Sequence, residues 1–331
     1  MLIDLIKCHG SNNDFLLIDE TDRNYKFDDF KRRDLALALC DRESSLGADG
    51  ILFIRPSKVA DAQYRIFNSD GTEASMCGNG LRCAGRYVCE KLGVDEAVIE
   101  TMKANLKVKK HEEIFRDIPT YQVEISPVTF DLKDLPLVLD QEKLIQEKIP
   151  QLSEELTFTA LAVPNPHLTA VVNKEQLESN LQTELSEKVN NPNDLFPDGV
   201  NVSFIRLLEK GSIFVRTYER GVGYTNACGT AMSASTLVTC LMGENELGQP
   251  INVYNNGGMV QCAVHKEEDI YTIDLIGNAT FVYSAQIEVD FSKEGLLEEI
   301  LEQEDFNEDI LYGKLQEHAK KYLSQFRRRK S

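Results

Sequence analysis

The sequence has no tryptophan, no excess of positive charge and no long apolar run. None of its apolar segments approaches the roughly 20 residues that a membrane-spanning helix needs. The formal net charge of −18 repels phosphate backbones and acidic lipid. These absences argue against nucleic acid and membranes as partners and favour a small-molecule ligand.

The first residues, Met1 to Lys7, lack a charged leader followed by an apolar block and a small-residue cleavage site. We therefore expect a cytoplasmic protein. No two of the eight cysteines have Cys-x-x-Cys spacing, which argues against a zinc site. A disulfide framework is not expected in a cytoplasmic chain of 331 residues. We predict neither metal nor disulfide.

The chain is long enough for two domains, because single cores stop growing at about 250 to 300 residues. Alternating segments such as Tyr121 to Ser126 predict that most of the fold is sheet. Two segments have helical spacing instead, Gly78 to Leu92 and Gly229 to Met242, and each directly follows a cysteine. No side chain from Cys228 to Gly243 is charged, which predicts a helix buried on nearly all sides.

The two helical segments belong to an internal repeat. With Arg65 aligned on Arg216, Cys77 falls on Cys228 without a gap. An asparagine that precedes a predicted strand also lies 64 residues ahead of the first cysteine and 63 residues ahead of the second. Two matches, the second within one residue of the same spacing, indicate that the halves of the chain are related.

The position of Cys77 and Cys228 at predicted helix starts points to catalysis. Unpaired N–H groups and the positive end of the helix dipole favour a thiolate there, and can lower a thiol pKa from about 8.5 to roughly 3.5 to 7.5. Such a cysteine can be an acid or a base at neutral pH. The same N–H groups can cradle a carboxylate. Two such cysteines therefore predict proton transfer on opposite faces of an amino-acid α-carbon.

Free cysteine is usually a small buried hydrophobe, and we prefer that interpretation for the other six cysteines. They are Cys8, Cys40, Cys83, Cys89, Cys240 and Cys262. A redox pair is a second alternative for Cys77 and Cys228, since two thiols that flank one carbon could approach disulfide distance. We interpret that reactivity as a liability of the catalytic arrangement.

Four motifs, in order along the chain, resemble those of the diaminopimelate epimerase family. They are Lys7-Cys-His-Gly-Ser-Asn-Asn-Asp-Phe15, Asn68-Ser-Asp-Gly-Thr-Glu-Ala-Ser-Met-Cys-Gly-Asn-Gly-Leu-Arg-Cys83, Pro164-Asn-Pro-His167 and Tyr218-Glu-Arg-Gly-Val-Gly-Tyr-Thr-Asn-Ala-Cys-Gly-Thr-Ala231. The resemblance extends from about Leu5 to about Val289. It implies an isomerase that interconverts LL- and meso-diaminopimelate on the route to lysine and peptidoglycan precursors, without pyridoxal phosphate, metal or any other cofactor.

The resemblance also implies an α/β fold of the α+β type. Two pseudo-symmetric domains are expected, each a mostly antiparallel sheet curled around a central helix, with the active site in the cleft between them. We place the N-terminal half at residues 1–127, with strand 279–289 returning to it, and the C-terminal half at 128–278. The charged segment 131–156 is interpreted as the bridge. Residues 290–331 form an acidic extension for which the pattern predicts one or two amphipathic helices.

The resemblance assigns roles by motif, with Cys77 and Cys228 as the acid and base. The residues implied to bind substrate through side chains or backbone donors are Asn13, Asn68, Gly78, Asn79, Asn165, Asn201, Glu219, Arg220, Gly229 and Thr230. His167 and Glu219 are the implied groups that tune the thiol pKa values. The planar fork of Arg220 suits a bidentate grip on the distal carboxylate. Tyr283 is the implied contact of a homodimer.

Two positions depart from the family pattern. Tyr224 stands where many members have glutamate in the turn before the second cysteine, and Gly50 follows Asp49 where some members have glutamine. Both departures affect polar contacts expected near the substrate.

Two other functions stay open. One is a racemase or epimerase of another amino acid on the same scaffold, such as the proline-racemase relatives. Those proteins typically carry Met-Cys-Gly-His, so Asn79 argues against that reading. The other is a non-catalytic thiol sensor or binding module.

Overall fold

The computed structural model describes residues 1–23, 25–292 and 296–328. The helices are α1 (Asp29–Leu39), α2 (Gly78–Leu92), α3 (Lys174–Glu178), α4 (Leu181–Asn190), α5 (Gly229–Leu241) and α6 (Glu308–Arg328), with a 3-10 turn at Leu132–Asp134. The strands are β1 (Leu2–Gly10), β2 (Asn13–Asp19), β3 (Gly50–Arg55), β4 (Ala62–Asn68), β5 (Glu73–Ala74), β6 (Glu96–Glu100), β7 (Asn105–His111), β8 (Thr120–Ile125), β9 (Thr159–Val163), β10 (Asn165–Val171), β11 (Asn201–Glu209), β12 (Ser212–Glu219), β13 (Gly223–Tyr224), β14 (Ile251–Asn255), β15 (Gly258–Glu267), β16 (Ile270–Asn278), β17 (Thr280–Val289) and β18 (Leu297–Asp305).

The chain forms two compact units. The first comprises residues 1–123 and 276–315, and the second comprises 124–275 and the chain from 316. In the first unit, β18, β17, β1, β2, β3, β4, β6, β7 and β8 lie side by side in that order. The pairs β2–β3 and β4–β6 are parallel and the others are antiparallel. Helix α2 packs across the strands of this sheet.

The second unit repeats the same order of elements. Strands β9, β10, β11, β12, β14 and β15 lie side by side, with β10–β11 and β12–β14 as the parallel pairs. They match β1, β2, β3, β4, β6 and β7 of the first unit, pair for pair, and α5 packs on them as α2 does on its own sheet. The structure therefore has the predicted mixed α/β fold, in which each unit is mostly sheet with one central helix.

Local sequence explains how α2 and α5 pack. Gly93 takes the left-handed conformation, φ 69°, at the C-terminus of α2 and ends the helix there. Gly85 allows α2 to lie against β7, since a Cβ at this position would stand 2.1 Å from Cγ1 of Val108. Helix α5 is buried from Gly229 to Thr239, as its lack of charged residues predicts.

The segment 131–156 is more than a connection along the chain. Its apolar side chains belong to the core of the second unit, although most of the segment has no regular secondary structure. The buried residues are Leu132, Leu135, Leu137, Leu144, Ile149 and Leu156.

The C-terminal extension differs from the prediction of helices alone. It first forms β18, which pairs antiparallel with β17, and α6 begins only after that strand. Backbone pairing with β17 outweighs the helix propensity of the Leu and Glu residues in this stretch. Residues 293–295 and 329–331 of the extension lie outside the described residues.

Helix α6 contributes apolar side chains to the core of each unit. Tyr312 and Leu315 are buried with Ile118 in the first unit. Further along, Ala319 is buried with Tyr254 and Met259 in the second unit. The extension is therefore packed against the fold, which favours a packing role over a solvated one.

Within the described ranges, no helix is both long and apolar enough to cross a bilayer. The same ranges contain no group of three or more His, Cys, Asp or Glu side chains that could hold a metal ion.

Candidate active site

Cys77 is the N-cap residue of α2. Its backbone is extended, with φ −135° and ψ 117°, and its carbonyl accepts the first helical hydrogen bond, from the amide of Leu81, at 2.8 Å. Gly78 and Asn79 belong to the first turn, where backbone amides precede the first helical hydrogen bond. The thiol therefore lies beside backbone donors that can hold an anion.

The side chains around Cys77 come from the start of β2 and from α2. The thiol donates to Oδ1 of Asn13 at 3.4 Å, and Nδ2 of Asn79 donates to the same oxygen at 3.3 Å. The other end of the Asn13 amide donates to Oδ2 of Asp49 at 2.7 Å. Asp49 thus fixes which atom of Asn13 faces the thiol.

Asp49 has a role that sequence reasoning missed. The motif comparison marked this position only for the absence of a glutamine after it, and Asn13 lies 36 residues away along the chain. Gly50, the departure itself, allows close strand contact, since a Cβ there would stand 2.5 Å from the carbonyl oxygen of Phe67. Asn68 lies directly opposite Gly50 at the end of β4, and its amide donates to the Thr72 hydroxyl at 3.0 Å.

Cys228 is the N-cap residue of α5, with φ −118° and ψ 111°. Its sulfur lies 3.5 Å from the hydroxyl oxygen of Thr230, which in turn forms a 3.1 Å hydrogen bond with Nε2 of His167 on β10. His167 is fully buried, and burial lowers its pKa to about 3, so the ring is neutral. Thr230 therefore stands between the histidine and the thiol.

The acidic neighbour of Cys228 is Glu219 at the end of β12. Burial raises the pKa of the Cys228 thiol well above its ordinary value, and the charge of Glu219 raises it further, whereas hydrogen bonds from Thr230 and the amide of Ala231 lower it. Burial outweighs the helix terminus, so Cys228 rests as a neutral thiol. The expectation of a depressed pKa at this helix start is not met at Cys228.

The departure at Tyr224 has a structural explanation. The Tyr224 hydroxyl forms a 2.9 Å hydrogen bond with the hydroxyl of Thr183 on α4. The Arg216 guanidinium lies 5.4 Å from the centre of the Tyr224 ring. Thr225, the next residue, donates to Oε1 of Glu219 at 2.5 Å. The turn before Cys228 thus supplies a hydroxyl that orients the glutamate.

The remaining predicted residues of the second unit lie at strand ends. Asn165 begins β10, and Asn201 begins β11, where its Oδ1 accepts the backbone amide of Arg220 at 2.9 Å. The exposed guanidinium of Arg220 donates to the carbonyl of Asp198 at 2.8 Å. Tyr283 belongs to the first unit instead, where it is half-buried within β17, opposite Asp305 of β18.

The other cysteines have the surroundings of core residues. None of the eight cysteines, all of which are described residues, forms a disulfide; five of these six are buried, and Cys240 is partly buried. Burial raises the pKa of Cys8 well above its usual value, that of Cys40 to about 12, and those of Cys89 and Cys240 to about 11. These thiols are not activated.

The sequence profile of the family described as diaminopimelate epimerase matches residues 5–120 and 159–282. The chain belongs to the diaminopimelate epimerase family. The matched ranges contain every predicted site residue except Tyr283. Membership of this family makes the chain an isomerase and confirms the resemblance seen in the four motifs.

Two relatives show how far the likeness to this epimerase family extends. A diaminopimelate epimerase of Listeria welshimeri is 51% identical over 295 residues, covering 87% of this chain and 90% of its own. Another, of Listeria monocytogenes serotype 4a, is 48% identical over 330 residues, 97% of this chain and 98% of its own, so that alignment includes the C-terminal extension.

A solved structure with much lower sequence identity to this epimerase has a similar fold. A PhzF-family phenazine biosynthesis protein of Bacillus anthracis matches with a TM-score of 0.63 at 16% identity, over 87% of this chain and all of the other.

Proposed function

We propose that this protein interconverts LL- and meso-diaminopimelate by a two-base mechanism, without cofactor, for the synthesis of lysine and peptidoglycan precursors. The observation that supports it most directly is the equivalence of Cys77 and Cys228. Each is the N-cap of the central helix of its unit, with the same extended backbone and a Gly-led first turn. Family membership supplies the substrate.

The proposed reaction starts with removal of the α-proton by one cysteine as thiolate. The other cysteine, as thiol, delivers a proton to the opposite face, so that the configuration inverts. Negative charge develops on the adjacent carboxylate, and helix-terminal N–H groups stabilise that charge more in the transition state than in the ground state. Gly78 with Asn79, and Gly229 with Thr230, are the proposed backbone donors.

The surroundings of Cys228 favour the acid role in the resting enzyme. Its raised pKa keeps the proton on sulfur, ready for delivery. In the reverse direction Cys228 must first lose that proton, and Glu219 is the proposed acceptor. The neutral His167 acts through Thr230, whose hydroxyl can donate to the thiolate that forms.

The polar residues at strand ends are the proposed substrate contacts. Asn13, Asn68, Asn165 and Asn201 offer amides for the amino and carboxylate groups at the reacting centre. Arg220 is the proposed partner of the distal carboxylate, because its guanidinium is exposed and is held by a backbone carbonyl rather than by an acid.

The test is an epimerisation assay with LL-diaminopimelate, and with L-proline as the competing substrate. We expect meso product from the first and no racemisation of the second. Cys77→Ser and Cys228→Ser should each lower turnover by about 10² to 10⁴-fold, the usual contribution of a general acid or base. Wild-type turnover in either variant, with the circular dichroism spectrum retained, would refute the two-base mechanism.

Two properties of the protein are further proposals. Eight cysteines without a disulfide among them suit the reducing cytoplasm, where we place the enzyme. A homodimer with Tyr283 in its contact is proposed from the family resemblance. Sedimentation velocity of wild type and Tyr283→Glu tests the assembly: we expect a dimer that the variant weakens, and a monomeric wild type would contradict the proposal.

A further inference from the structure

The C-terminal extension lies beyond the family match, which ends at residue 282. Its helix α6 nevertheless contacts α2, the helix whose N-cap is Cys77. Glu308, the first residue of α6, accepts from Nη1 and Nη2 of Arg86 at 2.6 and 2.7 Å, a bidentate ion pair. The same carboxylate accepts the amide of Phe281 at 2.9 Å. The extension is thus fastened directly to α2.

One turn further along α6, Tyr312 meets the turn that presents Asn13. This buried side chain packs edge-on against the ring of His9, with centroids 4.7 Å apart, and its hydroxyl hydrogen-bonds Ser11. Ser11 and Asn12 both have positive φ, 56° and 63°, a conformation that costs free energy for residues with a side chain. Contacts from outside the turn are what hold such a conformation in place.

The Ser11 hydroxyl connects this turn to the cysteine site through a buried arginine. Arg82, fully buried on α2, donates from Nη2 to Ser11 at 3.3 Å and to Oδ1 of Asn79 at 3.0 Å. Asn79 and the Cys77 thiol both donate to Oδ1 of Asn13. A hydrogen-bonded path therefore runs from Tyr312 through Ser11, Arg82, Asn79 and Asn13 to the thiol.

The path is tightly packed at its centre. A Cβ on Gly10 would stand 2.8 Å from the carbonyl oxygen of Asn79 and 2.9 Å from Nη2 of Arg82. Nε of Arg82 also donates to the carbonyl of Asn278 at 3.0 Å. Because so little space is left, loss of one hydrogen bond at the Tyr312 end displaces groups along the path rather than being absorbed locally.

We propose that the C-terminal extension is part of the Cys77 site, with Tyr312 as a positioning residue for the acceptor of the Cys77 thiol and Glu308 as the anchor that holds it there. Neither residue touches substrate. The assignment of Cys77 to proton transfer rests on the proposed function, whereas the contacts with the extension are independent of it.

The test compares two tyrosines of the same helix. Tyr312→Phe removes the hydroxyl that bonds Ser11, and Tyr322→Phe is the matched control, since the Tyr322 hydroxyl bonds Glu209 in the second unit at 2.5 Å. For each protein we measure kcat and KM in both directions, and the pH profile of iodoacetamide alkylation at Cys77 and at Cys228 by peptide mass spectrometry.

We expect Tyr312→Phe to lower kcat about two- to tenfold, the effect of one hydrogen bond, with little change in KM. The Cys77 alkylation profile should move to lower pH, because a thiol that has lost a well-placed acceptor ionises more readily. The Cys228 profile should not change, and Tyr322→Phe should behave as wild type in every readout.

An unchanged Cys77 profile and kcat in Tyr312→Phe would overturn the proposal, as would an equal effect from Tyr322→Phe. If Tyr312→Phe does not fold, Ser11→Ala removes the other end of that bond, together with the bond from Arg82, and must shift the Cys77 profile in the same direction. A shift in alkylation without any epimerase activity in the wild type would refute the proposed function but not the path.

Discussion

Cys77 and Cys228 are each the N-cap residue of a central helix, but they differ in their side-chain neighbours. Cys77 is partly exposed and donates to a neutral amide, while Cys228 is buried beside a carboxylate and a hydroxyl. Two helix starts with the same backbone thus place their thiols in different surroundings. In the proposed two-base mechanism, one thiol acts as the acid and the other as the base in each direction.

Thr230 offers a direct test of the link between His167 and Cys228. Thr230→Val keeps the shape of the side chain and removes the hydroxyl that bonds both groups, so we expect kcat to fall about tenfold. Ser235→Ala is the control, because the buried Ser235 hydroxyl on the same helix has no hydrogen-bond partner among the described residues. Steady-state kinetics of both variants measure the effect on kcat. Equal activity of Thr230→Val and wild type would contradict the linking role.

Sequence reasoning can single out Cys77 and Cys228 among the eight cysteines, because the internal repeat gives both the same spacing from an arginine. It did not locate Asp49, because nothing local marks a carboxylate whose partner, Asn13, is brought beside it by the parallel pairing of β2 with β3. In the sequence Tyr224 is visible only as a departure from the family pattern, and its contact with Thr183 depends on packing that no pattern encodes.

Among the elements, helices α2 and α5 are predictable almost to the residue. The Cys-Gly turn marks the start of each helix, and the apolar spacing shows how far each one extends. The strand β18 was not predictable. Its Leu- and Glu-rich stretch has helix propensity, and only the pairing with β17 makes it a strand. The elements that can be predicted from the sequence are therefore those marked by nearby residues, whereas β18 depends on a partner strand.

The space around two helical glycines predicts opposite effects of their substitution by alanine. Gly85→Ala places a methyl 2.1 Å from Val108 and should destabilise the protein by about 1 to 3 kcal/mol. Gly313→Ala, in α6, meets nothing within 4 Å and should stabilise it by about 0.5 to 1 kcal/mol. Urea unfolding measures both free energies. A neutral Gly85→Ala would mean that α2 does not lie as close to β7 as described.

At the scale of the molecule, six strands have the same order in each unit, and the extension adds apolar side chains to both. Each unit also buries a neutral histidine. Burial lowers the pKa of His9 to about 4 and that of His167 to about 3, against about 6.5 in the unfolded chain.

These two histidines predict how stability depends on pH. Below about pH 6.5 the unfolded chain binds protons that the folded chain does not, so the free energy of unfolding falls as the pH falls, by about 2 kcal/mol per histidine at pH 5. Urea unfolding from pH 7 to pH 5 measures the slope. His167→Gln should remove about half of it. A flat profile in the wild type would contradict the neutral state of both rings.

The central claim is that one thiol removes a proton and a different thiol delivers one. The most direct measurement is the position of deuterium during the first few per cent of reaction of LL-diaminopimelate in D₂O. The two-cysteine account predicts deuterium at the inverted centre of the meso product and almost none in the recovered LL substrate. Deuterium that enters substrate as fast as product, or product that keeps the substrate's own proton, would show that a single group does both steps and would contradict the account.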